Sequence, residues 1–172
     1  LRKLVEAIEE KYSVDPDSIH FLGHSNGGFM SLRMACEHAD KIASVQSLAG
    51  AMFLIAEDHE PTEPVHMLQV HGTEDKVIKY DGGIFRAGQY PSARETVEMW
   101  ATFNNCKMVP KQKGTIDLVT NVEGEDTTVL CYENDESKKV SELWTIHGGS
   151  HGPRFNHSYS PRIIDWLLSH RK

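Results

Sequence analysis

Cysteine is scarce in this chain of 172 residues: only Cys36, Cys106 and Cys131 occur. Three thiols leave at least one unpaired and exclude a disulfide-dense scaffold. No run of about 18 apolar residues exists, so no segment reads as a membrane-spanning helix. Excess positive charge is also missing. Eighteen Lys and Arg stand against 25 Asp and Glu, a net charge of −7, and the cations are scattered. A nucleic-acid partner is therefore not expected, since such partners need a basic stripe to displace counterions. What remains is ordinary globular composition, 39% hydrophobic and 25% charged. The length fits one domain over residues 1–172, able to bury roughly 70% of the surface its unfolded chain exposes. Leu1 already lies in a helical pattern and no leader is visible, which says nothing about compartment.

Leu1, Leu4, Val5 and Ile8 recur at helical spacing, and "SVDPDS" ends that helix. "IHFL" from Ile19 reads as a buried strand and "GFMSLRMACEHA" as a helix. "IASVQSL" and "VHMLQVHG" read as further strands, with "EDHEPTEP" a solvated loop between them. "YDGGIFRAGQYP" reads as loop. Ser92 then caps a helix, with Glu95 three positions on as a capping box. "TIDLVT", "TTVLCY" and "VSELWTIH" are β-rich, separated by two hairpin-like loops. A last helix is expected with Ser160 as N-cap and Pro161 at its first helical position. This alternation predicts an α/β fold with a mainly parallel sheet flanked by helices. Trp100, Trp144 and Trp166 fall in helix or strand patterns and read as core.

The stretch "FLGHSNGGFM" carries the chemistry. Gly23-His24-Ser25-Asn26-Gly27 fits G-x-S-x-G between an apolar strand and a helical run. A turn of that kind lifts a serine hydroxyl clear of the backbone, and glycines keep the flanking positions from colliding with it. At a helix N-terminus, the Asn26 backbone N–H can also face a developing oxyanion. A solvent-exposed glycine turn is the bland alternative.

A nucleophilic serine needs a base and an orienter, which in this fold class follow in the order Ser, Asp/Glu, His. Asp75 lies in "VHGTEDKV", just past a buried strand, where ligand-facing residues of an open α/β sheet collect. Glu74 is its rival, and Asp58 and Asp81 are weaker candidates. His151, in "TIHGGSHGPRF", lies between the last strand and the last helix. His147 sits at the strand end and reads as a packing or capping residue. His38, His59, His66 and His170 read as structural. A metal at His147, His151 and His157 lacks acidic or cysteine ligands at zinc spacing, so no metal and no cofactor are expected.

Taken together, "GHSNGGFMSLRMACEHADKIASVQSLAG", "VHGTEDKVIKYDGG", "YPSARETVEMWATFNNC" and "LWTIHGGSHGPRF" resemble blocks of the polyhydroxybutyrate depolymerase and feruloyl esterase group of α/β hydrolases, in that family's order. The resemblance implies an α/β-hydrolase fold and a serine carboxylesterase using Ser25, Asp75 and His151 on a small or polymeric ester. It also implies a Cys106–Cys131 disulfide, with Cys36 a buried free thiol, and hence an extracellular or periplasmic setting. Strands that precede the elbow in this group have no counterpart here, so the chain reads as the C-terminal half to two-thirds of a hydrolase. A binding-only relative, and a peptidase or acyltransferase built on the same triad, are the alternatives.

Overall fold

A computed structural model describes residues 1–53, 60–85 and 88–172. Asp58 and His59 lie outside the described residues. In chain order come helix α1 (Arg2–Lys11), strand β1 (His20–His24), helix α2 (Asn26–Glu37), and strands β2 (Ser44–Leu48) and β3 (His66–Gly72). The short strands β4 (Gly83–Phe85) and β5 (Gly88–Tyr90) follow, then helix α3 (Ala93–Phe103). Strands β6 (Lys111–Ile116), β7 (Thr127–Glu133) and β8 (Val140–Ile146) and helix α4 (Tyr159–Ser169) complete the chain.

Six strands form one sheet in the order β1-β2-β3-β8-β7-β6. The first four are mutually parallel, and β7 and β6 add an antiparallel hairpin to the β8 side. Every residue of β2 and β3 is buried, as a parallel strand covered on both faces requires. On one face, Leu32 and Met34 of α2 and Val97 and Trp100 of α3 share a core with Val45, Met67 and Leu143. On the other, Ile163, Trp166 and Leu167 of α4 pack against Leu68, Val70, Val129 and Trp144. All three tryptophans are core. No helix among the described residues is long and apolar enough to cross a membrane.

Several expectations change. Strand β1 is the sheet edge rather than a buried strand, and Leu22 on it is 61% exposed. Helix α1 forms, yet buries no residue completely. The "GGIFRAGQY" segment contains the β4–β5 hairpin. Strand β6 starts four residues earlier than "TIDLVT" suggested, because the outermost strand is solvent-facing and takes the polar sequence Lys111–Ile116. Leu118 and Val119 turn inward instead, their backbone N–H groups donating to the buried Asp126 carboxylate. Helix α4 begins at Tyr159 with Ser158 as its N-cap residue, two positions before Ser160. The Ser92–Glu95 capping box is present in both directions.

The Cys106–Cys131 disulfide is absent: all three cysteines are free. Parity along β7 explains it. Neighbouring residues on a strand point to opposite faces. Tyr132 joins the core beneath α3 together with Cys106, whereas Cys131 joins the α4-side core. The sheet stands between the two sulfurs, and a disulfide needs its Cβ atoms within about 4.5 Å. The disulfide-based argument for an oxidising compartment lapses with it. Burial pushes the Cys36 and Cys131 thiols up to about 12 and that of Cys106 up to about 11, so little reactive thiolate exists at neutral pH. A thiol reagent should therefore label the folded protein slowly and reach all three sites only in denaturant, and reductant should leave the melting temperature unchanged. A melting temperature that falls in reductant would restore the bridge.

Candidate active site

Because β1, β2, β3 and β8 run parallel, their C-terminal ends share one sheet edge, where the loops of an open α/β sheet converge. Backbone hydrogen bonds extend the strand ladder past the strands: Ser25 N–H donates to Leu48 O, Ala49 N–H to Val70 O, and Thr73 N–H to Ile146 O. The turns after β1, β2 and β3 are thereby each stapled to the neighbouring strand.

Ser25 occupies the β1–α2 turn with φ 56° and ψ −118°, a strained conformation for a residue with a side chain. Its hydroxyl does not cap α2, which leaves it available to another partner. A Cβ on Gly23 would lie 2.3 Å from the carbonyl carbon of Gly27, so the turn can close this tightly only around glycine. A Cβ on Gly27 itself meets no described atom; only the first flanking glycine is sterically demanded. Asn26 opens α2, and its backbone N–H belongs to the first turn, which has no intrahelical acceptor.

The structure brings Ser25, His151 and Asp75 into one hydrogen-bonded series. His151 Nε2 lies 3.0 Å from Ser25 Oγ, and His151 Nδ1 lies 2.8 Å from Asp75 Oδ2. Since a carboxylate only accepts, the proton sits on Nδ1 and the Nε2 lone pair accepts from the serine hydroxyl. Asp75 Oδ1 accepts the backbone N–H groups of Val77 and Ile78. Asp75 is buried, and its side chain is fully enclosed. Burial opposes its ionisation, but the hydrogen bonds from His71, His151, Val77 and Ile78 outweigh it and hold the carboxyl at about 2 against an ordinary 3.8. A carboxyl depressed in the folded state stabilises the fold above its unfolded value and loses that contribution as pH falls through the folded one. Asp75 should therefore contribute about 2 kcal/mol at neutral pH, fading between pH 3.8 and about 2. Urea midpoints of the native chain and Asp75→Asn, compared at pH 5 and at pH 2.5, should converge at the lower pH.

The other candidates lie elsewhere. Glu74 and Asp81 are exposed. His147 is exposed, with Nε2 against the Thr128 hydroxyl at 2.7 Å. His66 is buried and accepts the Val140 N–H, and His170 stacks on Trp166. Among the described residues no group of three His, Cys, Asp or Glu is placed to hold a metal ion.

Two histidines that the motif reading passed over join the site. His24 Nε2 donates to the His151 backbone carbonyl at 2.7 Å, and its ring lies 4.8 Å from that of His151, tilted by 42°. His71, buried on β3, approaches Asp75 Oδ2 to 3.2 Å. Only the period-2 placement of His71 on the face shared with Gln69 hinted at it.

Residues 1–110 match the profile of the phospholipase/carboxylesterase (Abhydrolase_2) family. The chain belongs to this family of α/β hydrolases. Among its relatives, feruloyl esterase B of Piromyces equi is 32% identical over 161 residues, covering 87% of this chain and 28% of that protein. Feruloyl esterase D of Neurospora crassa is 25% identical over 150 residues, covering 87% of this chain and 45% of the relative. The chain thus spans less than half the length of either. An acetyl xylan esterase from Aspergillus awamori has the same fold, with a TM-score of 0.63 at 14% identity over 96% of this chain and 65% of the other. The feruloyl esterase side of the expected resemblance is supported, and the fold is that of an α/β hydrolase.

Proposed function

We propose that this chain carries the catalytic machinery of a serine carboxylic-ester hydrolase acting on feruloyl-type aromatic esters. The observation that carries the reading is the Ser25–His151–Asp75 series on a strained turn. His151 Nε2 takes the Ser25 proton as Oγ attacks the ester carbonyl. The tetrahedral oxyanion faces the Asn26 N–H at the start of α2. Collapse expels the alcohol, protonated by His151, and leaves an acyl-enzyme. Water, activated by the same imidazole, then releases the acid and restores Ser25. Asp75 holds the imidazole and balances its charge.

The aromatic preference is supported by the feruloyl esterase relatives and by Phe29, one helical turn beyond Ser25. Phe29 is buried, tilted by 37° against the exposed Phe53 at 4.8 Å, and it meets Tyr90 edge-on at 6.1 Å. The exposed Phe53 ring, backed by Phe29, is the face a flat acyl group would meet. The test is hydrolysis of methyl ferulate, p-nitrophenyl acetate and a short polyhydroxybutyrate oligomer by the chain and by Ser25→Ala. Release of ferulate that disappears in the variant supports the reading. Turnover of the oligomer alone would move the substrate to polyesters. Equal release by both proteins, or none by either, would overturn the assignment of Ser25.

A further inference from the structure

Asp75 Oδ2 has two histidine partners, and a His–Asp–Ser series uses only one. The second, His71, is buried, and each of its nitrogens has a defined neighbour. Nε2 lies 2.8 Å from the Ile78 carbonyl, which can only accept, and 3.2 Å from Asp75 Oδ2. Nδ1 lies 3.1 Å from Gln69 Nε2, whose carboxamide also donates to the Gly50 carbonyl at 2.8 Å. Because Gly50 O accepts, the Gln69 amide is oriented with its NH₂ toward both groups, so His71 Nδ1 accepts and the ring proton sits on Nε2. Two backbone carbonyls at opposite ends of the chain Gly50–Gln69–His71–Ile78 thus fix one tautomer.

We infer that His71 is a positioning residue for the ester-hydrolysing site: its Nε2–H, shared between the Ile78 carbonyl at 2.8 Å and Asp75 Oδ2 at 3.2 Å, orients Asp75 and divides its charge between two imidazoles, with Gln69 bracing the ring at Nδ1. The inference rests on the reading of Ser25, His151 and Asp75 as the reacting series. Oδ1 is fully engaged by Val77 and Ile78, so Oδ2 alone holds His151, and whatever else bonds Oδ2 sets how strongly it pulls the His151 Nδ1 proton. Other titratable groups surround the pair without bonding Asp75. Tyr80 meets the His71 ring edge-on at 5.7 Å and bonds Thr145, His24 lies against His151, and Glu74 and Lys76 are exposed. Removing the His71 donor leaves a more basic carboxylate, which favours the His151 imidazolium. That moves the acid limb of the rate profile to higher pH, while the less constrained carboxylate lowers turnover.

The test compares the native chain, His71→Leu, His71→Gln and Gln69→Leu. His71→Leu should lower kcat about tenfold, as expected for loss of a hydrogen bond to a charged group, with KM within about twofold and the acid limb of kcat/KM shifted upward. His71→Gln, whose amide can stand in for Nε2–H, should recover most of both effects. Gln69→Leu keeps the ring and its Nε2–H but removes the donor that braces Nδ1, so it should shift the limb in the same direction by less. Nitrogen-15 spectra of histidine-labelled protein read the His71 tautomer without activity: Nε2–H in the native chain and also in Gln69→Leu, because the Ile78 carbonyl and Asp75 both face Nε2. If His71→Leu fails to fold, His71→Gln and Gln69→Leu carry the test. Folded variants with unchanged pH profiles and kcat, or a native His71 protonated on Nδ1, would overturn the inference. A native chain with the Nε2–H tautomer but without Ser25-dependent hydrolysis would instead sink the esterase reading.

Discussion

Asp75→Asn should lower kcat for ester hydrolysis by about 10³–10⁴ with KM little changed, because exchanging carboxylate for carboxamide inverts the tautomer of the base. The Val77 and Ile78 N–H groups keep an oxygen at the Oδ1 position, so the amide NH₂ is delivered to the Oδ2 position, facing His151 Nδ1 at 2.8 Å. Two donors then confront one another. His151 relieves this by moving its proton to Nε2, where it points at Ser25 Oγ and can no longer accept. His71, which also donates toward Oδ2, gains a second donor-to-donor contact and adds to the misplacement. Glu74→Gln, one residue away but exposed, should stay within about twofold of the native rate, as surface substitutions usually do. A tenfold or smaller loss in Asp75→Asn would mean that another group orients His151.

Gly72→Ala should cost about 3 kcal/mol or more, at the upper end of overpacking penalties, and lower the melting temperature by about 6–12 °C for a chain of this size. A Cβ there would stand 2.2 Å from the Gly149 carbonyl oxygen and 2.4 Å from its carbon. Both are backbone atoms, so no rotamer change relieves the contact. The two loops meet here: Gly72 ends β3, three residues before Asp75, and Gly149 precedes His151 by two. Glu74 N–H donates to Gly149 O, and Gly148 N–H to the Thr73 hydroxyl. One methyl group therefore wedges the acid-bearing loop from the base-bearing one. An ångström of separation at that point should reduce kcat about 10²-fold beyond the loss of stability. Gly152→Ala is the matched control, since a Cβ there meets no described atom within 4 Å. Its thermal midpoint should be unchanged. Equal midpoints for the two variants would show that the loops are not pressed together as described.

The hydrogen-bonded series was legible from Gly23–Gly27, Asp75 and His151 because each lies just past a strand, and strand ends are marked by a change from apolar periodicity to glycine and polar residues. The partners of these groups were not. His71 lies inside an apolar strand, where a histidine looks like filler, and its link to Asp75 depends on how the turn after Gly72 folds back. The cysteines failed for a related reason. Which face Cys131 occupies is set by the register of β7 on β8, and Cys106 follows a helix, so no spacing relates the two. Polarity hid β6, whose sequence "KQKGTI" lacks the apolar alternation of a half-buried strand. Glycines made the β4–β5 hairpin look like loop.

The hydrogen bonds of the site join residues 126 and 76 positions apart, and this separates chemistry from local order during folding. Helices α2 and α3 need only nearby contacts, whereas a reactive serine requires β1, β3 and β8 to be in register together, closing long loops before any contact repays their entropy. The Ser25–His151–Asp75 arrangement is consequently a property of the assembled sheet edge, held by no single segment of the chain.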